Sequence, residues 1–404
     1  MTSRISESAR ALLSAAAVRS HADAAFALAQ SGTLDDWTLD LAKLPACADF
    51  VAGVVRRQYP TLDVPFHARW RHFVFRGQDF WRETALEVSW RDRDAAARAA
   101  FDLAITSVLL DAGAGDAWRF HDPNSDIVAD RSEGLALASL RLFEWGAFSN
   151  SPQDPLRADA AGLARFDAAA LADAFQVRPG NPLFGLEGRA ALLNRLAGAV
   201  TARPDLFALN DTARPGGMYD ALKARAVEGA LPAPAILDAL LEGLGPIWEN
   251  RPVLDGAPLG DCWPHPQLGL TPLHKLSQWL AYSLIEPLQA AGVTVTKIDG
   301  LTGLAEYRNG GLFIDSGVLA LRDASAINAV HQVSDPLVVS WRSLTVALLD
   351  RIAPLVRERL GVSAEQFPLA RVLEGGTWAA GRVLAREKRG GLPPLRIISD
   401  GTVF

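Results

Sequence analysis

Glu306 and Arg308 stand two residues apart in GLAEYRNGGLFIDSGVL (303–319), ahead of Asn309-Gly310-Gly311 and then Asp315. A carboxylate beside a guanidinium and an open, glycine-rich backbone can stabilise developing positive charge or activate water. It can equally be a structural ion pair. Two local structures compete. A hairpin turning at Asn309-Gly310 puts Glu306, Arg308, Phe313 and Asp315 on one face. A loop entering a short helix places Glu306 just before the helix, facing whatever its N-terminus faces.

Four further stretches carry chemistry-capable residues. VPFHARWRHFVFRG (64–77) packs His67, Arg69, Trp70, Arg71, His72 and Arg76 between apolar residues. Arg offers planar forks for phosphate or carboxylate, and Trp a flat face for a base or sugar. A surface helix with snorkelling Arg and core Trp explains the pattern as well. LLDAGAGDAW (109–118) ends a helix on Asp111, and its small residues then permit close backbone approach. In RSEGLA (131–136), Ser132 reads as a helix cap beside which an anion can sit. LHKLSQWLAYSLIEP (273–287) repeats Lys275, Gln278 and Tyr282 at helical spacing, either a ligand-facing stripe or a solvated face.

Helices must position most of these residues. Apolar periodicity predicts helices over 94–111 (capped by Asp94), 132–145, 187–201, 234–244, 273–291, 336–360 and 363–388. An N-terminal helix presents Leu12, Ala16, Ala25, Phe26 and Leu28 and stops at Gly32. Period-two segments are few: VTVTKI (293–298) and LRIIS (395–399), the latter followed by a turn-like DGTVF. The terminal Val403-Phe404 is apolar enough to dock in the core near Trp378 and Arg382. The expected class is mainly α with minor β. The expected organisation is one continuous helical assembly over 1–404, with at most two lobes at about 1–150 and 151–404.

Composition excludes several function classes. The 404 residues are 49% hydrophobic and 21% charged, too apolar for disorder. A net charge of −6 argues against general nucleic-acid binding. Cys47 and Cys262 cannot build a disulfide framework or a Cys-rich zinc site, and they fit a reducing cytoplasm. No apolar run is long enough for a membrane span or shaped like a signal peptide. Phosphate-loop, dinucleotide-fingerprint, HExxH, CxxC and GxSxG motifs are missing from the sequence. No metal or cofactor is therefore expected, and chemistry falls to carboxylates, His, Arg and water.

HARWRHF, LLDAGAGDAW, RSEGLA, HKLSQWL, EYRNGGLFIDSGVL and SDGTVF together resemble an uncharacterised uracil-catabolism family first defined in fungi and also found in bacteria. The likeness spans nearly the whole chain. It implies a pathway that opens the uracil ring without prior reduction, with ribosylurea as a proposed intermediate. The order of segments is also similar to the queuosine-salvage N-glycosidase family, whose fold is helical and DNA-glycosylase-like, of the helix-hairpin-helix type. There an Ala-Asp-Tyr-Arg segment supplies an essential carboxylate, matched here by Ala305-Glu306-Tyr307-Arg308, with Gly317-Val318-Leu319 recurring downstream. An aromatic substrate loop corresponds to the stretch ending at Trp118, and a Lys-Arg-x-Gln helix to Lys275 through Gln278. Glu in place of Asp lengthens the carboxylate by a methylene. Loss of the loop aromatics suits a smaller leaving group.

These resemblances imply an N-ribosyl hydrolase that converts ribosylurea or its phosphate to urea and ribose or ribose phosphate. Glu306 is expected to stabilise the ribosyl cation and activate water. Asp315 or Asp111 would orient water or bind ribose hydroxyls, and His67 or Asp261 would protonate urea. Arg69, Arg71 and Lys275 are expected to hold a phosphate. Trp118, Gln278, Tyr307 and Arg308 complete the expected binding set. The expected partner is a small ribosyl compound, with other pathway enzymes as possible associates. Two alternatives stay open: a non-catalytic scaffold or binding subunit of the pathway, and a different ureide or amide hydrolysis step.

Overall fold

The computed structural model describes residues 5–111, 113–115, 117–210 and 212–398. The turn at 400–401 and the docking of Val403-Phe404 lie outside these residues. The chain is 55% helix and 12% strand, as the periodicity predicts. Eight helices build the site: α1 (Ala15–Gln30), α2 (Leu44–Gln58), α3 (Arg93–Leu109), α4 (Arg131–Glu144), α5 (Lys275–Ala290), α6 (Tyr307–Asp315), α7 (Pro336–Leu360) and α8 (Trp378–Arg389).

The 25-residue α7 is the central strut. Pro336 fits its first turn, where no donor is needed, and Gly361 at φ 73° closes it. It packs against α1, α2 and α6, while α5 packs against α3. A single buried apolar cluster runs from Ala9 to Leu395 and joins residues on both sides of position 150. Among the described residues, strands form only two-stranded pairs, several tying distant segments together. Thr294–Thr296 pairs in parallel with Ala230–Pro232, and Arg396–Ile398 with Val330–Gln332.

Several boundaries differ from the periodicity. Asp92, not Asp94, caps α3 by accepting from the Ala95 N–H at 2.7 Å. Asp94 instead accepts from the Tyr219 hydroxyl and the Lys223 ammonium. Ser132 lies inside the first turn of α4, and Asp130 at the cap position makes no side-chain capping hydrogen bond. Ala16 faces solvent, and the core face of α1 is Ala15, Val18, Ala22, Ala25, Phe26 and Ala29. The 363–388 helix begins only at Leu369 and widens into a π turn over Val372–Thr377. Residues 69–73 form a buried 3-10 turn, not a surface helix.

At 303–319 the loop-into-helix alternative is the one observed, with Glu306 as N-cap of α6. The reason is packing. A Cβ on Gly310 would lie 2.7 Å from the Trp341 indole of α7. A Cβ on Gly381 of α8 would lie 2.2 Å from the Arg308 carbonyl. Gly310, read as a turn residue, and Gly381 are close-approach points by which α6 is pressed between α7 and α8.

Candidate active site

Glu306 stands at the wall of a cavity of about 250 Å³, below the range typical of drug-sized ligands. The cavity is enclosed by the 67–73 turn, the loop after α3, the first turn of α4, the start of α5, residues 304–308, Trp378 and the 391–393 segment.

Glu306 is placed from below and behind. Its carboxylate accepts from the Arg308 N–H at 2.9 Å and the Asn309 N–H at 2.5 Å. These are donors that the first turn of α6 would otherwise leave unmet. The preceding loop is braced by α5: the Tyr282 hydroxyl donates to the Thr302 carbonyl, and the Thr302 N–H donates to Gln278 Oε1. Arg342 of α7 donates through Nε to the Ala305 carbonyl at 3.1 Å. Its two terminal nitrogens grip Asp261 at 2.8 and 2.7 Å.

Lys275 opens α5 directly after His274, whose backbone is left-handed at φ 47°. Burial pushes the Lys275 ammonium below its ordinary value, and Glu306 and then Asp111 oppose that shift. Lys275 thus lines the cavity together with the Glu306 and Asp111 carboxylates. Asp111 Oδ2 is 2.9 Å from the Arg69 guanidinium, while its buried Oδ1 has no hydrogen-bond partner. Arg69 is fully buried behind the wall, donating also to Ser107 and to His72 Nδ1. His72 lines the cavity, and burial together with Arg69 pushes it down to about 4.

The opposite wall is aromatic and basic. The His67 ring centroid lies 5.3 Å from that of Trp378 and 6.3 Å from that of Trp279. His67 Nδ1 is 2.5 Å from Glu374 Oε2. Two guanidiniums lie over the Trp378 indole: Arg308 at 4.9 Å and Arg382 at 4.7 Å. Arg382 also meets Glu133 at 3.3 Å. With the N-terminal turn of α4 alongside, this end can hold an anion, and the Asp111 end can accept hydrogen bonds from hydroxyl or amide groups.

The structure thus brings Glu306, Asp111, His67, Lys275, Tyr307 and Arg308 to one cavity. It places the other expected residues elsewhere. Asp315 closes α6 and is gripped by Arg389 at 2.7 and 2.6 Å. Asp261 is held ionised, well below the usual carboxylate range, by Arg342, Lys275 N–H and Trp263 N–H against the cost of burial. Both of its oxygens are therefore committed to structure. Arg71 pairs with Glu286 at 2.7 Å. Trp118 is fully buried against Phe120 and Phe175 and donates to the Phe175 carbonyl. Gln278 and Arg69 support the wall without forming it. Conversely, motif reading missed Glu374, Glu133, Trp279 and Arg382. Only the GG pair inside an otherwise helical pattern at 375–376 marks the π turn that carries Glu374. Among the described residues, no three His, Cys, Asp or Glu side chains cluster as metal ligands. No helix among them is long and apolar enough to cross a membrane.

Three comparisons bear on descent. A family model described as "Protein of unknown function (DUF1688)" matches residues 11–404. The chain is 37% identical over 412 residues to Protein urg3 of Schizosaccharomyces pombe, covering 98% of this chain and 99% of that protein. It is 34% identical over 415 residues to Uracil catabolism protein 4 of Lachancea kluyveri, covering 92% and 93%. A match over nearly the whole length, with the cavity residues inside it, makes the chain a member of the DUF1688 family.

Proposed function

We propose that this protein acts in uracil catabolism as an N-ribosyl hydrolase, cleaving ribosylurea or its phosphate to urea and ribose or ribose phosphate. The printed name of the Lachancea kluyveri relative supports the pathway. The observation that carries the reaction is the Glu306 carboxylate, fixed by two backbone donors at the wall of a small polar cavity. The likeness in segment order to the queuosine-salvage N-glycosidases supports a DNA-glycosylase-like arrangement of the helices. The cavity size favours a small ribosyl compound over a nucleic acid.

Breaking the C1–N bond builds positive charge on the ribosyl ring. A carboxylate already ordered beside C1 stabilises that charge without reorganising. Glu306 then takes a proton from the water that attacks C1 on the face opposite the departing group, as in inverting glycosidases. Asp111 Oδ1 accepts from a ribose hydroxyl or a urea amide, and Lys275 offsets the two carboxylates. Measuring urea release from ribosylurea tests this. Glu306→Gln keeps the length of the side chain and loses its charge, so turnover should fall by at least about 10²-fold. Wild-type turnover in that variant would overturn the assignment.

A further inference from the structure

A carboxylate that stabilises the ribosyl cation does not solve the other half of the bond cleavage. Urea leaves poorly as an anion, so the departing nitrogen needs a proton. Asp261, one candidate from sequence, has both oxygens bound to Arg342, Trp263 and Lys275. His72 accepts at Nδ1 from the Arg69 guanidinium, which opposes a second positive charge on that ring. His67 is built differently. Its Nδ1 lies against Glu374 Oε2, leaving Nε2 as the ring nitrogen available to the cavity that the residue lines. The ring is packed between the indoles of Trp279 and Trp378.

Glu374 reaches this position because the chain widens into a π turn over Val372–Thr377. Such widened turns recur at functional sites, since the extra residue re-aims a side chain. The charge of Glu374 also acts on Tyr59, Glu286 and His72, and Arg71 acts on the first two of these. Arg71 is committed to Glu286, which leaves His67 as the partner at shortest range.

We propose that His67 is the proton donor to the departing urea nitrogen and that Glu374 is its positioning residue. The inference rests on the hydrolase reading above. In the step, the C1–N bond breaks and its electron pair goes to nitrogen. The proton on His67 Nε2 moves to that nitrogen. Water forms the new C1–O bond and gives its proton to Glu306. His67 regains a proton from solvent and Glu306 returns one, so the protein is unchanged.

The test compares two ribosides. Ribosylurea needs a proton on its leaving group, whereas 4-nitrophenyl riboside departs as a stable phenolate. His67→Asn should lower kcat on ribosylurea by about 10²-fold and leave the nitrophenyl riboside within a few-fold. Glu374→Gln should give the same split more weakly, with KM unchanged. Nitrogen-15 NMR of the His67 ring supplies a readout free of turnover: Nδ1 should carry a strongly downfield proton that moves upfield in Glu374→Gln. Equal loss on both ribosides in His67→Asn overturns the donor role while leaving the hydrolase reading intact. A wild-type protein that cleaves neither overturns both. An unprotonated Nδ1 in the wild type overturns the positioning role of Glu374.

Discussion

Asp261 and Glu306 are equally buried, each 7% exposed, yet they are opposite kinds of carboxylate. Asp261 accepts from two guanidinium nitrogens, one indole and one backbone amide, all within 2.9 Å. Glu306 accepts from two backbone amides only and borders the cavity. Burial alone would not separate them. The separating quantity is how many donors the protein itself supplies, because a saturated carboxylate has nothing left to offer a ligand. The same division holds between Arg342, whose fork is filled by Asp261, and Lys275, which faces two carboxylates across the cavity.

The sharpest way to break this comparison is Asp261→Asn. It strands a buried Arg342, so unfolding free energy from denaturant titration should drop by about 3–5 kcal/mol. A variant of wild-type stability would show that Asp261 is no more committed than Glu306. His72 gives a second, pH-linked test. Its folded value, about 4, lies below the ordinary 6.5. Between these values the unfolded chain binds a proton that the folded chain refuses, so stability is complete above about 6.5 and is lost as pH falls toward about 4. The loss should approach roughly 3 kcal/mol, and His72→Gln should flatten it. An unchanged slope in that variant would move the titration to another group. The smallest expected effect is Asp315→Asn. Its side chain is only 3% exposed and its forked pairing with Arg389 lies outside the cavity, so stability should fall by about 2 kcal/mol with urea release unaffected. A large loss of turnover would return Asp315 to the site.

Sequence pattern made the helical class and most of the long helices legible, because a buried face repeats locally. It also made Glu306, Lys275, Asp111 and His67 legible, since each sits in a motif whose small or aromatic neighbours mark close packing. It could not tell which polar residues the protein would consume internally. Asp261 and Arg342 are 81 positions apart and His67 and Glu374 are 307 apart, so no local spacing records either pairing. Trp118 illustrates the opposite error. A conspicuous indole in a matching loop turns out to be core, because Phe120 and Phe175 enclose it. The hairpin alternative at 309–310 failed for a related reason. Gly310 answers to Trp341 of α7, far along the chain, not to its immediate neighbours.

The capping of α6 by Glu306 has a thermodynamic consequence. A free Glu side chain surrenders roughly 1.5–2 kcal/mol of rotamer entropy when it is fixed. Here the amides of Arg308 and Asn309 fix it as the helix forms. That disorder is lost once, on folding, and not again each time a ligand arrives, so the carboxylate meets its ligand already aimed.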